Sequence, residues 1–172
     1  MDCKNIDKKL PSFIPPMKQL NNNSLVEFFI KETAYWGSDK EMEYLTEYLN
    51  SENEEVVKSV LESITLRKTS GKENKIKDIY YEEPENIKRI ILYTLLVTSA
   101  ETFIDFFKEA FYNTSSQLTK RMALQCLWKA GDEGKKLFAE MEEKTDSKNK
   151  ILFLHVKDKI INRKKMSLHS IN

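Results

Sequence analysis

Apolar residues in this chain recur at spacings of three and four, the period expected of α-helices that bury one face. Met42, Leu45, Tyr48 and Leu49 are one example. Turn-forming Asn, Ser, Gly and Pro residues interrupt the pattern. Together these signals predict helices over residues 24–36, 39–49, 54–68, 74–81, 84–98, 99–111, 116–130, 132–143 and 147–161.

The ends of several predicted helices carry capping signals. Ser24 is predicted to be an N-cap, with Glu27 three residues later completing a capping box. Ser38 or Asp39 is predicted to cap the second helix, and Pro84 suits the start of a helix. The predicted boundaries therefore rest on side chains as well as on periodicity.

The predicted helix 84–98 has almost no polar face, so we expect it to lie at the centre of the fold, covered on several sides. The periodicity predicts four core residues in particular: Ile91, Leu95, Ala123 and Leu127.

Three further side chains are assigned from their neighbours. Trp36 and Trp128 stand beside apolar runs, where a tryptophan is more often a core residue than an interface anchor. Cys126 falls on the apolar side of its helix and is expected to pack as a small hydrophobic residue.

A lysine opens the same short pattern four times, at Lys58, Lys88, Lys120 and Lys150, with intervals of 30, 32 and 30 residues. An apolar pair follows two residues later each time, and a turn-rich stretch precedes each lysine. Two helices and a turn repeated at such a period are typical of an α-solenoid.

Segments 53–64, 84–95 and 119–132 resemble the second helix of HEAT repeats, with a small or acidic turn followed by small and apolar residues. Segment 119–132 also has an Ala-Leu step and a Gly-Asp exit, and the period is similar to that of the short bacterial HEAT-like repeats. The resemblance covers about residues 42–161, and armadillo-like stacking is an alternative. It implies an all-α fold, an α-solenoid of stacked antiparallel helical pairs. It implies no particular function, because HEAT proteins share an architecture and not an activity.

The sequence suggests three regions. Residues 1–23 hold three of the four prolines and are predicted to be extended or disordered. Residues 24–162 form the repeat domain, and residues 163–172 a basic tail.

Charge is nearly balanced, with a net charge of +1 at pH 7, but it is unevenly distributed. Segment 39–55 has seven acids and one lysine, whereas segment 157–172 has five bases and one acid. A charged run is usually a solvated face, and the alternative is that the basic tail contacts an anionic surface such as a membrane.

The sequence contains no recognisable catalytic or metal-binding motif. Neither histidine has a second ligand at metal-binding spacing, and no phosphate-binding glycine loop or nucleophile motif is present. The carboxylate pairs Glu82-Glu83 and Glu142-Glu143 lie beside turns, where we expect them to be solvated. These observations predict a protein that is not an enzyme and that has no metal and no cofactor.

The longest apolar run, residues 90–100, is shorter than a membrane-spanning helix, and the N-terminal residues lack an apolar signal core. We therefore expect a cytoplasmic protein, or alternatively the cytoplasmic portion of a membrane-anchored one.

A base that recurs at the repeat period can form one stripe on successive helices, so we expect a partner-binding face. Its candidate residues are Lys58, Lys88, Arg89, Lys120, Arg121 and Lys150. The alternative is that these bases pair with nearby acids such as Glu54 and Glu85.

The leading functional hypothesis is a non-enzymatic scaffold that binds a protein or peptide through the face lined by the second helices. Two alternatives remain. One is a nucleic-acid-binding protein similar to HEAT-like DNA glycosylases, disfavoured because a groove that grips DNA needs a clear positive excess. The other is the soluble part of a membrane-associated protein.

Overall fold

The fold is described from a computed structural model that covers the backbone of residues 22–169 and the side chains of residues 22–160. Most of the N-terminal segment predicted to be extended or disordered, residues 1–21, lies outside the described residues. All regular secondary structure within residues 22–169 is helical, which confirms the all-α fold class. The chain divides into two compact units between Glu82 and Glu83, within the range that the sequence assigned to one repeat domain.

The first unit contains four α-helices in its described residues: α1 Asn23–Trp36, α2 Asp39–Leu45, α3 Glu54–Arg67 and α4 Glu73–Asp78. Short 3₁₀ turns, Thr46–Asn50 and Ile79–Tyr81, follow α2 and α4. The second unit contains α5 Glu85–Ser99, a 3₁₀ turn Ala100–Phe103, α6 Ile104–Asn113, α7 Gln117–Lys129, α8 Gly131–Lys144 and α9 Ser147–His169. The helix boundaries match the predicted ones to within a few residues, except at the end of α9, which continues into the predicted tail.

Two helix caps in the first unit differ in how well the sequence predicted them. The N-cap of α1 is Asn22 and not Ser24, because the Asn22 side-chain oxygen accepts hydrogen bonds from the backbone N–H groups of Ser24 at 3.0 Å and Leu25 at 3.3 Å. Ser38 caps α2 in a complete capping box with Glu41, one of the two predicted alternatives.

Helices α1 and α3 run parallel and form the core of the first unit. The Ser63 hydroxyl donates to the Ile30 carbonyl at 3.4 Å, and Arg67 donates to the Gly37 carbonyl at 2.9 Å. Because both contacts join residues in the same chain order, the two helices have the same direction, with α2 as the connection between them. The buried apolar side chains of these two helices are Val26, Ile30, Ala34, Val56, Val57, Val60, Leu61 and Ile64.

Helices α5 and α7 of the second unit also run parallel. Glu85 at the start of α5 accepts a hydrogen bond from Thr119 at the start of α7, with an O–O distance of 2.5 Å. Further along, the Cys126 thiol lies 3.5 Å from the Leu92 carbonyl oxygen. The two helices therefore lie side by side in register, and the antiparallel α6 connects them through the 3₁₀ turn.

The central helix of the second unit is α7 and not α5, contrary to the sequence prediction. Helix α7 packs against α5, α6, α8 and α9. On α5, Leu96 and Val97 are only partly buried and Tyr93 is 46% exposed. Apolar residues therefore extend further around α5 than the part of the helix that its neighbours cover. The four predicted core residues, Ile91, Leu95, Ala123 and Leu127, are all buried, as expected.

The prediction that Trp36 is a core residue was wrong. Its side chain is 65% exposed at the last position of α1. At about 100° per residue, Trp36 lies roughly 80° around the helix from Val26. The other buried residues of α1, Ile30, Thr33 and Ala34, lie on the opposite side of Val26 or close to it, so Trp36 is outside the buried face. Trp128 is partly buried, and its ring meets that of Phe138 edge to face with 5.0 Å between centroids.

The helical run Glu85–Asn113 contains an 18-residue window apolar enough to cross a membrane by length and composition alone, and 39% of that window is buried. The sequence prediction had divided this run at Ser99 and had judged its longest apolar stretch, residues 90–100, too short to span a membrane. Backbone angles at Ser99, φ −158° and ψ 51°, interrupt the run between α5 and the 3₁₀ turn. A single such segment is weak evidence, since a core helix of a soluble protein passes the same test.

Candidate partner-binding face

Helices α5 and α7 bury the same five positions. On α5 these are Ile87, Ile91, Leu92, Thr94 and Leu95. The residues 32 positions later on α7 are all buried too: Thr119, Ala123, Leu124, Cys126 and Leu127. Since the helices are parallel and in register, their equivalent residues face the same direction.

The opposite side of both helices remains partly exposed. It carries Arg89, Tyr93 and Leu96 on α5, and the equivalent residues Arg121, Gln125 and Trp128 on α7. We call these six residues the open face. An arginine, an aromatic ring and apolar carbons occur on it together, the combination that is enriched where proteins bind other proteins.

The same burial pattern identifies which base of the first unit is equivalent to these arginines. Helix α3 buries Val56, Val60, Leu61, Ser63 and Ile64, the positions that precede the buried residues of α5 by 31. Lys58 is thus the equivalent of Arg89, whereas the lysine pattern in the sequence had aligned it with Lys88. The sequence could not show this shift of one residue, because it depends on which side of each helix is buried.

Lys88 lies apart from Arg89. Successive residues are separated by about 100° around a helix, which places Lys88 on the side of the buried residues. Its Nζ is 3.7 Å from a Glu85 carboxylate oxygen. This is the acid that the alternative interpretation named as its counter-charge.

Glu85 holds the starts of α5 and α7 together. Its carboxylate accepts hydrogen bonds from Thr119 and, at 3.1 Å, from Thr114. Partial burial raises the pKa of Glu85, but the hydrogen bonds from Thr119 and Thr114 and the nearby charges of Lys88 and Arg89 lower it more, so the net shift is downward. The carboxylate therefore stays ionised and screens the nearby bases.

The other three lysines are placed differently from one another. Lys120 Nζ lies 5.4 Å from the centre of the Phe111 ring. Lys58 forms an ion pair with Glu55 at 3.2 Å, and the hydrogen bond to that carboxylate raises the pKa of Lys58. Lys150 is exposed in the first turn of α9. The structure thus brings Arg89 and Arg121 together on the open face and gives Lys58, Lys88 and Lys120 local contacts.

One hydrogen-bond donor of Arg121 is buried without a partner among the described residues. Within the part of the chain that the structure describes, its Nε atom is buried and has no hydrogen-bond acceptor. A buried donor without an acceptor is costly, by about 1–3 kcal/mol. Because this atom is out of contact with solvent, a partner carboxylate could reach only the exposed part of the guanidinium.

The histidine, cysteine and carboxylate side chains considered in the sequence analysis do not form a further candidate site. Within the described residues no cluster of three or more His, Cys, Asp or Glu side chains could hold a metal ion. His155 is exposed on α9, and burial raises the pKa of the Cys126 thiol. The prediction that the pair Glu142-Glu143 is solvated holds only for Glu143, because Glu142 is partly buried in an ion pair with Lys157.

No family model, no curated protein and no solved structure matches this chain.

Proposed function

We propose that this protein is a non-enzymatic, HEAT-like scaffold whose open face binds an acidic segment of a protein partner. The observation that carries the proposal is the repetition of one burial pattern on α5 and α7, which leaves Arg89 and Arg121 at equivalent positions on the same side. A repeated helix with one side left open is how α-solenoids form extended binding surfaces.

The chemistry of the open face indicates what kind of segment it would bind. Two arginines on neighbouring parallel helices favour two carboxylates, each able to form a paired hydrogen bond with one guanidinium. Tyr93, Leu96 and Trp128 provide apolar and aromatic surface between and beyond them. The fitting segment is therefore acidic and amphipathic, with apolar side chains following its carboxylates.

The contacts of Arg89, Arg121, Lys88 and Lys120 indicate how much each should contribute to partner binding. Lys88 is close to Glu85 and Lys120 lies over the ring of Phe111, whereas Arg89 and Arg121 are partly exposed on the open face. Reversing the charge of an arginine on the open face should therefore weaken binding more than reversing Lys88 or Lys120.

The test compares two double variants of the full chain for capture of acidic partners from an extract, followed by titration with the identified segment. Arg89→Glu with Arg121→Glu should weaken binding of that segment by at least about tenfold, the effect of losing roughly 1.4 kcal/mol. Lys88→Glu with Lys120→Glu is the matched control, since it reverses the same number of charges in the same turns of the same helices.

Equal loss in the two double variants would contradict the open face as the binding surface and favour a diffuse electrostatic attraction. Retention on duplex DNA at physiological salt, abolished by either variant, would favour the nucleic-acid alternative instead.

A further inference from the structure

Helix α1, the first helix that the structure describes, leaves one apolar side largely exposed. Leu25 is 44% exposed, Phe28 54% and Trp36 65%. The ring of Phe29, which is partly buried, meets that of Phe28 edge to face with 5.6 Å between centroids. At about 100° per residue, these four side chains lie within roughly 100° of one another around the helix, and we call them the α1 strip. Contiguous exposed apolar surface of this kind marks a place where another molecule or segment binds.

The packing of α3 shows which kind of contact the α1 strip is placed to make. The two helices bury equivalent positions 30 residues apart: Val26, Ile30, Thr33 and Ala34 on α1, and Val56, Val60, Ser63 and Ile64 on α3. Trp36 is therefore the equivalent of Leu66. Leu66 lines a groove of about 170 Å³ between α3 and α1, so it lies on the side of α3 that faces the preceding helix. By the same register, Trp36 lies on the side of α1 where an element preceding α1 would pack.

The position of α1 in the chain points to such an element. Helices α3, α5, α7 and α9 each follow another helix along the chain, whereas α1 follows none among the described residues. In stacked helical repeats a terminal unit needs a polar outer face, because nothing further packs against it. The α1 strip is apolar, so α1 does not have the surface of a terminal helix.

Residues 1–21 contain the side chains that could cover the α1 strip. Their apolar residues are concentrated in segment 10–20 and are Leu10, Phe13, Ile14, Met17 and Leu20. The prolines of this segment are the reason why the sequence predicts an extended chain there. From Leu25 to Trp36 the strip is about 16 Å long, at 1.5 Å per helical residue. An extended chain advances about 3.3 Å per residue, so roughly five or six of its residues cover that length.

We propose that residues 10–20 of the same chain turn back along α1 and cover the α1 strip. Leu20 then lies beside Leu25, and Phe13 and Ile14 reach Trp36. The occupant is the same chain because residue 21 is joined directly to Asn22, the N-cap of α1, which holds the segment beside the strip at a high effective concentration. A separate partner would also lose translational and rotational freedom on binding. This inference is independent of the open face of the second unit.

The test follows the surroundings of Trp36 in the full chain. Trp128→Phe removes the other of the two tryptophans, so the fluorescence of this parent variant comes from Trp36 alone. Phe13→Asp with Ile14→Asp, added to the parent, removes the apolar contact. Acrylamide should quench Trp36 slowly in the parent and severalfold faster in this segment variant. The emission of Trp36 should also shift to longer wavelength in the segment variant, because the indole enters water.

Ser12→Asp with Gln19→Asp, added to the same parent, is the matched control. It places the same number of aspartates in the same segment but keeps every apolar side chain, so it should leave the quenching of Trp36 unchanged. Circular dichroism confirms that each variant is folded.

Thermal denaturation provides a second measurement that does not depend on fluorescence. Phe13→Asp with Ile14→Asp should lower the melting temperature of the wild-type chain. It should lower the melting temperature much less in a chain that already carries Phe28→Asp and Trp36→Asp, because substitutions at residues in contact have non-additive effects.

Equal quenching of Trp36 in the parent and the segment variant would overturn the inference, and so would an equal effect of the control or additive changes in melting temperature. Protection of Trp36 that grows with protein concentration would instead assign the α1 strip to a second copy of the chain. Protection that requires phosphatidylcholine vesicles would assign it to a membrane surface. Either of these two results would also contradict the proposal.

Discussion

Glu85 shows at the scale of one residue how this chain uses a carboxylate for structure. It joins the start of α5 to the start of α7 through Thr114 and Thr119, and it lies close to Lys88. The same acid thereby lowers the net charge available from Lys88, which is why Arg89 and Arg121 dominate our proposal for the binding face.

The contribution of Glu85 to stability should depend on pH. Because its pKa in the folded chain is lower than the ordinary value of 4.5, the contribution is present above about pH 4.5 and is lost as the pH falls through the folded pKa. We expect Glu85→Gln to reduce the free energy of unfolding by about 1 kcal/mol at pH 7, at the low end for a charged hydrogen bond because the side chain is partly exposed.

Urea denaturation at a series of pH values measures this difference. It should shrink as the pH is lowered below 4.5, and the exposed Glu140→Gln should show little effect at any pH. A difference between Glu85→Gln and the wild-type chain that stays constant with pH would mean that the carboxylate charge is not involved.

At the scale of the element, helix ends and buried faces set the structure of each unit. Asn22 is the N-cap of α1, and its side chain accepts from two backbone N–H groups, whereas Ser24 lies inside the first turn. Helix α7 is central in the second unit because its neighbours α5, α6, α8 and α9 all pack against it.

The capping assignment predicts unequal effects from two similar substitutions. Asn22→Ala should cost about 0.5–2 kcal/mol of stability, the usual range for losing an N-cap. Ser24→Ala should cost less, since alanine is the better helix former inside the helix. Thermal denaturation of both variants measures the two losses of stability. A larger loss from Ser24→Ala would support Ser24 as the N-cap, as predicted from the sequence.

The buried face of α5 predicts a large effect from one core substitution. Leu95 is fully buried between helices, so Leu95→Ala should cost about 2–5 kcal/mol through the cavity it leaves. Leu154 is 60% exposed on α9, and Leu154→Ala should change stability by less than about 0.5 kcal/mol. Denaturant unfolding that gives equal losses for the two variants would contradict the assigned burial.

At the scale of the whole molecule, the net charge of +1 is too small to attract polyanions generally, yet local fields differ in sign along the chain. Attraction between the open face and an acidic segment is therefore expected to be short-ranged. It acts within about one Debye length, roughly 8 Å at physiological salt.

Binding kinetics should reveal this local field. Raising the ionic strength from about 0.01 M to 0.15 M shortens the Debye length from roughly 30 to 8 Å, so association with an acidic peptide should slow. Stopped-flow mixing at several salt concentrations measures the rate, with the Arg89→Glu and Arg121→Glu variant as the control. Salt dependence that is the same in that variant would assign the attraction to other charges.

The amino-acid sequence by itself determined the helical content, most helix boundaries and the residues at the centre of the core. Periodic apolar positions and turn residues are local signals, and any compact fold of this chain has to bury the same strongly apolar stripes, as Ile91, Leu95, Ala123 and Leu127 show.

Only the tertiary structure decided which parts of each apolar surface are covered. Trp36 is exposed because the buried side of α1 lies elsewhere around the helix, although its sequence context is apolar. Lys58 is equivalent to Arg89 and not to Lys88, because register between helices depends on which side each one buries. Such choices follow from contacts between residues about 30 positions apart, and periodicity within one helix carries no information about them.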